Sequence, residues 1–493
     1  MVFVHGGSFV TGSGFDFNFT SLARATRSLC VSINYRLGAL GWLMAGPGTS
    51  NLGLLDQLAA LRWVREHVGA FGGDASRMLL YGESAGGVSV MAHVASPEQA
   101  NSPLFSAALA ESGVPAALPE AAAVRQARAF YAAAGCEAAG RTGAVASTRV
   151  NISSPLACLR GLPLASLLAA ERRVAPGELD PLIGAGWGPT VDRTTALMPQ
   201  DPLLTLREGR GARVPVALGS NTDEGSLFVL SAVPWPLPVS RRQYEALARE
   251  ALDSMGVNRS AFFAEVMRLY PPRSHLPWSL SSQRPVASTL LGDYSFICGT
   301  RYVARLLSAR AGASSRAQWL YHFDYASPSD PIASAMGVYH GSELRFVLGD
   351  TRGMNASEAV LAARIMGMWA RLAASGRPTP QTATPHPPTP HPATPTGAVA
   401  SSAASPVASA AASGGDGVWT PYSNTSDLAL HLTVHADGSR LRMRPFPRAP
   451  RYCDFWERVA VQSPHPSLAI ARALAALRAG ESQTKSLAQH ALA

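Results

Sequence analysis

Short apolar runs alternate with helical stretches through the first part of the chain. Val2 to His5 opens with an extended apolar run, and Ser28 to Tyr35 is a second, rich in the β-branched residues that suit a buried strand. Between Leu54 and Val68 the period changes. Leu54, Leu55, Leu58, Leu61, Val64 and Val68 recur at i, i+3, i+4 and i+7, the repeat of an amphipathic helix. Phe71-Gly72-Gly73-Asp74 ends it, glycine being the usual residue past a last helical turn. Met78 to Tyr81 and Leu104 to Ala110 are predicted as further strands. Strands and helices alternating in this way predict an α/β protein, a parallel sheet with helices on both faces.

The remainder is more uneven. Residues 115–180 are Ala-rich and read as helical. Val214 to Gly219 and Ala317 to Phe323 read as strands, with 240–312 as a mostly helical insertion between them. A helix from Glu358 to Ala374 ends near Ser375-Gly376. Residues 377–416 hold Pro, Thr, Ala and Ser without periodicity, and are expected to form a disordered or polyproline-like surface insertion. His386 and His391 lie among its prolines and are not taken as metal ligands; no metal site is expected. Regular sequence resumes at Val418-Trp419. Ser467 to Leu477, with Leu468, Ile470, Leu474 and Leu477, reads as an amphipathic helix lying on its own domain. The expected organisation is a single domain over 1–460, interrupted by 377–416, and a helical tail over 461–493.

With 493 residues, 47% of them hydrophobic, the chain can bury one large α/β core or two to three small ones. No apolar run reaches the roughly eighteen residues of a transmembrane helix. The net charge of +9 rests on arginine, with Lys485 the single lysine. The arginines are dispersed, without a dense basic run or interleaved aromatics, so no nucleic-acid partner is expected. Met1 leads straight into a core strand with no signal peptide, which reads as a truncated start with any targeting signal upstream. The cysteines Cys30, Cys136, Cys158, Cys298 and Cys453 include no C-x-x-C pair, against zinc and thioredoxin-type chemistry. Cys30 is expected to be a buried strand thiol. The other four suffice for two bridges, and spacing does not choose among the pairings. Of nine asparagines, Asn18, Asn151, Asn258, Asn355 and Asn424 begin N-x-S/T. That excess points to glycosylation and a secreted or secretory-pathway protein.

The chemistry centres on Gly82-Glu83-Ser84-Ala85-Gly86-Gly87, directly after the Met78–Tyr81 strand. G-x-S-x-G on a sharp strand-to-helix turn lifts a serine hydroxyl clear of a sheet. A serine needs a base within hydrogen-bond reach, and the base needs an acid to fix its tautomer. On such sheets the order along the chain is serine, acid, histidine. Glu224 follows the 214–219 strand, but Asp223 is adjacent and the residues alone do not separate them. His340, in Gly337-Val338-Tyr339-His340-Gly341-Ser342-Glu343-Leu344, is the candidate base. His5-Gly6-Gly7-Ser8-Phe9 follows the first strand as an oxyanion loop does, and the Ala85 amide would add a donor. One such donor is worth about 10²–10³ in rate.

Taken together, Gly82–Gly87, Asn51-Leu52-Gly53-Leu54-Leu55-Asp56-Gln57 with Phe71–Asp74, Asp223-Glu224-Gly225-Ser226, and His340-Gly341-Ser342-Glu343-Leu344 resemble the type-B carboxylesterase/cholinesterase family. The likeness runs through nearly the whole chain except 377–416 and the tail. It implies an α/β-hydrolase fold with a mostly parallel central sheet flanked by helices, lacking the first strands. It implies Ser84, Glu224 and His340 as catalytic residues, selecting Glu224 over Asp223. It implies Gly7, Ser8 and Ala85 as oxyanion donors, bridges Cys136–Cys158 and Cys298–Cys453, and no cofactor. The expected activity is hydrolysis of small-molecule or lipid carboxylic esters through an acyl-enzyme; a homo-oligomer is compatible with it.

Three departures qualify the resemblance. Ser8 stands where the family has a third glycine. The long N-terminal stretch of family members, with its early strands and the tryptophan that stacks on choline in cholinesterases, has no counterpart before Met1. Leu227 replaces an aromatic after D-E-G-S, with Phe228 next, and Ile183-Gly184-Ala185-Gly186 is poor in acyl-pocket aromatics. A quaternary ammonium needs aromatic faces, so the expected specificity is that of a general carboxylesterase or lipase rather than choline-directed. The competing reading is a non-catalytic adhesion or scaffold protein, as in the neuroligin branch. Such proteins lose a member of the triad, and all three residues are kept here.

Overall fold

A computed structural model of the chain describes residues 1–46, 48–137, 155–174, 186–273, 282–309, 317–379, 418–434, 441–448 and 451–463. Most of the expected 377–416 insertion, the Ser467–Leu477 helix with most of the 461–493 tail, Asn151 and residues 183–185 lie outside them.

Eight strands form one sheet: β1 (Val2–Val4), β2 (Val31–Ile33), β3 (Leu79–Glu83), β4 (Ala107–Glu111), β5 (Val216–Asn221), β6 (Gln318–Phe323), β7 (Leu428–Leu432) and β8 (Arg442–Pro445). Their order is β2-β1-β3-β4-β5-β6-β7-β8. Every neighbouring pair is parallel except β7 with β8. Every residue of β3, β4, β5 and β6 is buried, the condition of a parallel sheet covered on both faces. Alternate side chains enter two cores. Leu80, Ala108 and Leu218 join Leu54, Leu61 and Val90 on one face. Leu79, Tyr81, Leu109 and Tyr321 join Leu361, Ile365 and Trp369 on the other. This is the mostly parallel, helix-flanked sheet of an α/β-hydrolase fold.

The helices that matter for the site are α1 (Leu52–His67), α2 (Ala85–Ala95), α3 (Gly225–Ala232), α4 (Arg284–Gly292), α5 (Cys298–Ser308), α6 (Ala356–Ser375) and α7 (Cys453–Gln462). Helix α6 starts from an Asn355–Glu358 capping box and ends at Gly376 in the left-handed region, as its sequence suggests. The 240–312 insertion is mostly helical: Arg241–Ser254, Arg259–Leu269, α4, a π-helical turn at Asp293–Ile297, then α5. Cys136–Cys158 and Cys298–Cys453 are both bridged, with Cα separations of 5.6 and 4.8 Å; the second ties α7 to α5. No helix among the described residues is long and apolar enough to cross a membrane.

Several expectations need correction. Leu55 is not part of the buried face of α1; it is exposed, and Gln57 takes an inward position. The Gln57 amide is satisfied there, donating to Ser89 Oγ at 3.0 Å and meeting His93 Nε2 at 3.0 Å. Cys30 is a half-buried free thiol just before β2, which spans only Val31–Ile33. β4 starts at Ala107, not Leu104. Strands β7 and β8 were not anticipated; β8 is a largely exposed edge with outward arginines, which lacks an apolar signature. A Cβ on Gly225 would stand 2.0 Å from the Ser288 carbonyl, so its smallness lets α3 pack on α4.

Candidate active site

Four loops at the carboxyl ends of the central strands meet around Ser84. Strand β3 ends at Glu83, and Ser84 turns the chain into α2 with φ 58° and ψ −124°, a strained conformation for a residue with a side chain. Its amide donates to the Glu111 carbonyl at 3.0 Å, and its carbonyl accepts from Val88 N at 2.8 Å, which fixes the turn from both sides. The tight crossing requires glycine: a Cβ on Gly86 would lie 2.0 Å from the Val4 carbonyl.

The loop after β1 approaches from the neighbouring strand. His5 stacks on Tyr35 with ring centroids 4.5 Å apart, and Tyr35 donates its hydroxyl to the His5 carbonyl at 2.8 Å. Gly7, Ser8 and Phe9 then follow with φ of 104°, 56° and 63°. The Gly7 carbonyl turns back to accept from Val10 and Thr11. Ser8 and Ala85 line the same cavity as Ser84; Gly7 is one residue back on the same turn. Ser8 therefore holds a left-handed conformation that glycine would adopt at lower cost.

Glu224 and His340 are brought together from distant parts of the chain. His340 Nδ1 lies 2.6 Å from Glu224 Oε2, and Glu224 is fully buried. The other Glu224 oxygen accepts from Ser112 Oγ at 2.6 Å and from the Asn221 amide at 2.7 Å. Asp223 has a different task. Its Oδ2 accepts from the Val338 amide at 2.9 Å, and its own amide donates to the Val338 carbonyl at 2.9 Å. It pins the loop that carries His340, which separates the two neighbouring acids. The rings of Phe228 and Phe296 pack on the imidazole with centroids 4.9 and 4.6 Å away.

His340 Nε2 makes no hydrogen bond to Ser84. It stands 3.2 Å from Glu83 Oε1 but without hydrogen-bond geometry. The imidazole thus sits beside the residue preceding the serine. Catalytic hydrogen bonds are often long without substrate and tighten on binding.

Residues that sequence reasoning did not single out complete the surroundings. Glu83, Glu111 and Glu343 are buried with Glu224. Trp369 Nε1 donates to Glu111 Oε1 at 2.7 Å, and Asn221 Nδ2 bonds both the Tyr339 carbonyl, at 2.9 Å, and Glu343. Burial pushes the Glu83 carboxyl up to about 7, with Glu224 reinforcing the effect and His340 opposing it. Burial, with Glu83 and Glu224, pushes Glu343 to about 8. Burial alone would lower the His340 pKa, but Glu83 and Glu224 outweigh it and raise it to about 9. Glu83 and Glu343 stand inside the quoted motifs and Glu111 follows an apolar run, but nothing in the sequence groups them.

The cavity beside Ser84 has a volume of about 200 Å³. Its walls include Phe9, Trp187, Phe228, Phe296, Tyr302 and Trp456. These rings come from the loop after β1, from α3, α5, α7 and the π-helical turn, and from Trp187, just past the aromatic-poor segment 183–186, of which 183–185 lie outside the described residues. Glu457 also lines it, but is bound by Arg301 at 2.5 Å and by Arg305 at 3.4 Å.

Comparison with known proteins agrees with this geometry. The profile of the carboxylesterase family matches residues 1–440. The chain is 31% identical over 410 residues to a cholinesterase from Mus musculus, an alignment covering 77% of this chain and 62% of that relative. The chain thus spans less than two thirds of that relative's length.

Proposed function

The chain belongs to the carboxylesterase family, and from that premise we propose that it is a serine hydrolase of carboxylic esters acting through an acyl-enzyme. The observation that carries the reading is the His340 imidazole, bonded through Nδ1 to the buried Glu224 and flanking the strand-to-helix turn of Ser84.

In this mechanism His340 Nε2 takes the Ser84 proton as Oγ attacks the ester carbonyl. Glu224 holds the tautomer and stabilises the imidazolium. Its own two oxygens are held by Ser112 and Asn221, so the acceptor does not swing away. The amides of Gly7, Ser8 and Ala85 receive the developing oxyanion. His340 then protonates the departing alcohol. Water, deprotonated by the same imidazole, attacks the acyl-enzyme, and the acid leaves with Ser84 restored.

For specificity the proposal is a general carboxylesterase or lipase-like range of neutral esters. The cavity's aromatic faces would accept an aryl, alkyl or acyl arm. Leu227 and the 183–186 segment lack the aromatics that the family places there, which favours neutral esters over choline esters. The rival non-catalytic role finds no missing member among Ser84, Glu224 and His340. A secretory location is proposed from the two bridges and from Asn18, Asn258, Asn355 and Asn424, all exposed. The test is hydrolysis of p-nitrophenyl esters of graded acyl length by the full chain and by Ser84→Ala. Turnover by the first and none by the second is expected. Equal rates for both proteins would refute the assignment.

A further inference from the structure

Between α3 and the helix Arg241–Ser254 the chain makes a surface turn, Pro234-Trp235-Pro236-Leu237, in which all four residues are exposed. Trp235 is 78% and Leu237 46% exposed. The turn is nonetheless firmly built. The Leu237 amide donates to the Pro234 carbonyl at 3.0 Å, and Val233 and Val239 at its two ends are buried. Arg284, at the start of α4, reaches beneath it. Its Nη2 donates to the Val233 and Leu237 carbonyls, each at 2.7 Å, and its Nη1 to the Val229 carbonyl at 3.4 Å. Val239 N is tied to Ser282 Oγ at 3.1 Å.

Two features of this arrangement point to a ligand surface. First, the bonds of Arg284 go to carbonyls, and among the described residues no carboxylate pairs with it. Its positive charge is therefore uncompensated under the two exposed apolar side chains. Arg241, exposed on the first turn of the next helix, lies beside it, with Glu245 offsetting part of its charge at 2.9 Å. Second, the turn is rigid, with two prolines and a clamp on both ends, so little freedom is lost when a partner covers it.

We propose that the Pro234–Leu237 turn anchors the protein on an anionic lipid surface. An indole is suited to the headgroup level of a bilayer, an aliphatic neighbour adds buried apolar area, and arginines meet lipid phosphates. The position gives the anchor a purpose. Helix α3 carries Phe228, and α4 runs on into the Asp293–Ile297 turn with Tyr294 and Phe296; all three residues line the Ser84 cavity. A lipid surface held at this turn is fixed relative to two walls of the site. The anchor itself does not depend on the esterase reading.

The experiment is co-sedimentation with vesicles of phosphatidylcholine containing phosphatidylserine, on the full chain and on Ser84→Ala, so that binding is read apart from catalysis. Both should bind, and lipids brominated on the acyl chain should quench tryptophan fluorescence. Trp235→Ser with Leu237→Ser should weaken binding at least about tenfold, the loss expected for one large buried side chain, and remove the quenching. Hydrolysis of a soluble acetate ester by that variant should be unchanged. Equal binding by the double variant, or no binding by the parent chain, would overturn the proposal. So would loss of a dimer in the variant with vesicle binding intact, since the turn would then join copies of the chain. Equal affinity for vesicles of phosphatidylcholine alone would contradict the anionic preference.

Discussion

Two buried charge clusters, a near one behind Ser84 and a far one beside Glu457, treat charge in opposite ways. In the far cluster Arg301, almost fully buried, is surrounded by acids. It bonds Asp427 through Nε and Nη2, at 2.9 and 2.6 Å, and Asp454 and Glu457 through Nη1, at 2.8 and 2.5 Å. Tyr422 donates to Asp427 at 2.7 Å, and the Cys298–Cys453 bridge ties the same two helices together. In the near cluster four carboxylates, Glu83, Glu111, Glu224 and Glu343, are buried, and among the described residues none forms an ion pair with an arginine. His340 is the one group there that can become a cation beside them. A matched buried charge holds a fold together, whereas an unmatched one displaces proton affinities. The near cluster is therefore where proton affinities are displaced, and the far one where α5 and α7 are fastened.

That contrast is open to attack by substitution. Glu224→Gln keeps the shape of the near cluster but removes the partner of Nδ1. It should lower kcat/KM by about 10³–10⁴ and leave the urea midpoint nearly unchanged; a large stability loss with little loss of rate would reverse the assignment of the two clusters. Arg301→Ala should do the opposite, stranding Asp427, Asp454 and Glu457 at a cost of about 3–5 kcal/mol by urea unfolding. Its kcat for a short soluble ester at 25 °C should be preserved in the folded fraction. Glu83→Gln tests the pH dependence. His340 must be neutral to act as a base, and Glu83 with Glu224 raises its pKa, which favours the protonated form. Removing the Glu83 negative charge lowers that pKa, so the acid limb of kcat/KM should move to lower pH and activity at neutral pH should rise. A limb that moves upward would show that Glu83 does not act on His340. The smallest effect is expected for Ser8→Gly, which relieves a left-handed φ of 56°. The strain relieved is roughly 1–2 kcal/mol, partly offset by the freer unfolded chain, so a gain of no more than about 1 kcal/mol is expected in thermal unfolding.

The central strands, and the side chains proposed to react, were readable from the chain because each carries a local signature. β3 to β6 are buried on both faces and read as continuous apolar runs. Ser84 and His340 sit near glycines that their turns require, and Glu224 precedes the glycine that lets α3 pack on α4. What could not be read arises from neighbours that only the sheet brings together. Glu83 and Glu111 are partners across the β3–β4 pairing, and Glu343 meets Asn221 at the end of β5; nothing in the local sequence marks them as a cluster. Ser112 was missed for the same reason. Leu55 looked buried because a heptad-like count ignores the buried Gln57, whose amide finds Ser89 and His93 only after α2 packs on α1. β7 and β8 follow a low-complexity stretch, and an exposed strand such as Arg442–Pro445 lacks the alternation that would announce it.

The most direct test of the central idea is labelling by a fluorophosphonate, followed by mass spectrometry of the digested protein and by the rate of labelling across pH. A single adduct on Ser84 is expected, absent in Ser84→Ala and formed far more slowly in His340→Ala and Glu224→Gln. An adduct on another residue, or labelling of Ser84 at the parent rate without His340, would contradict it.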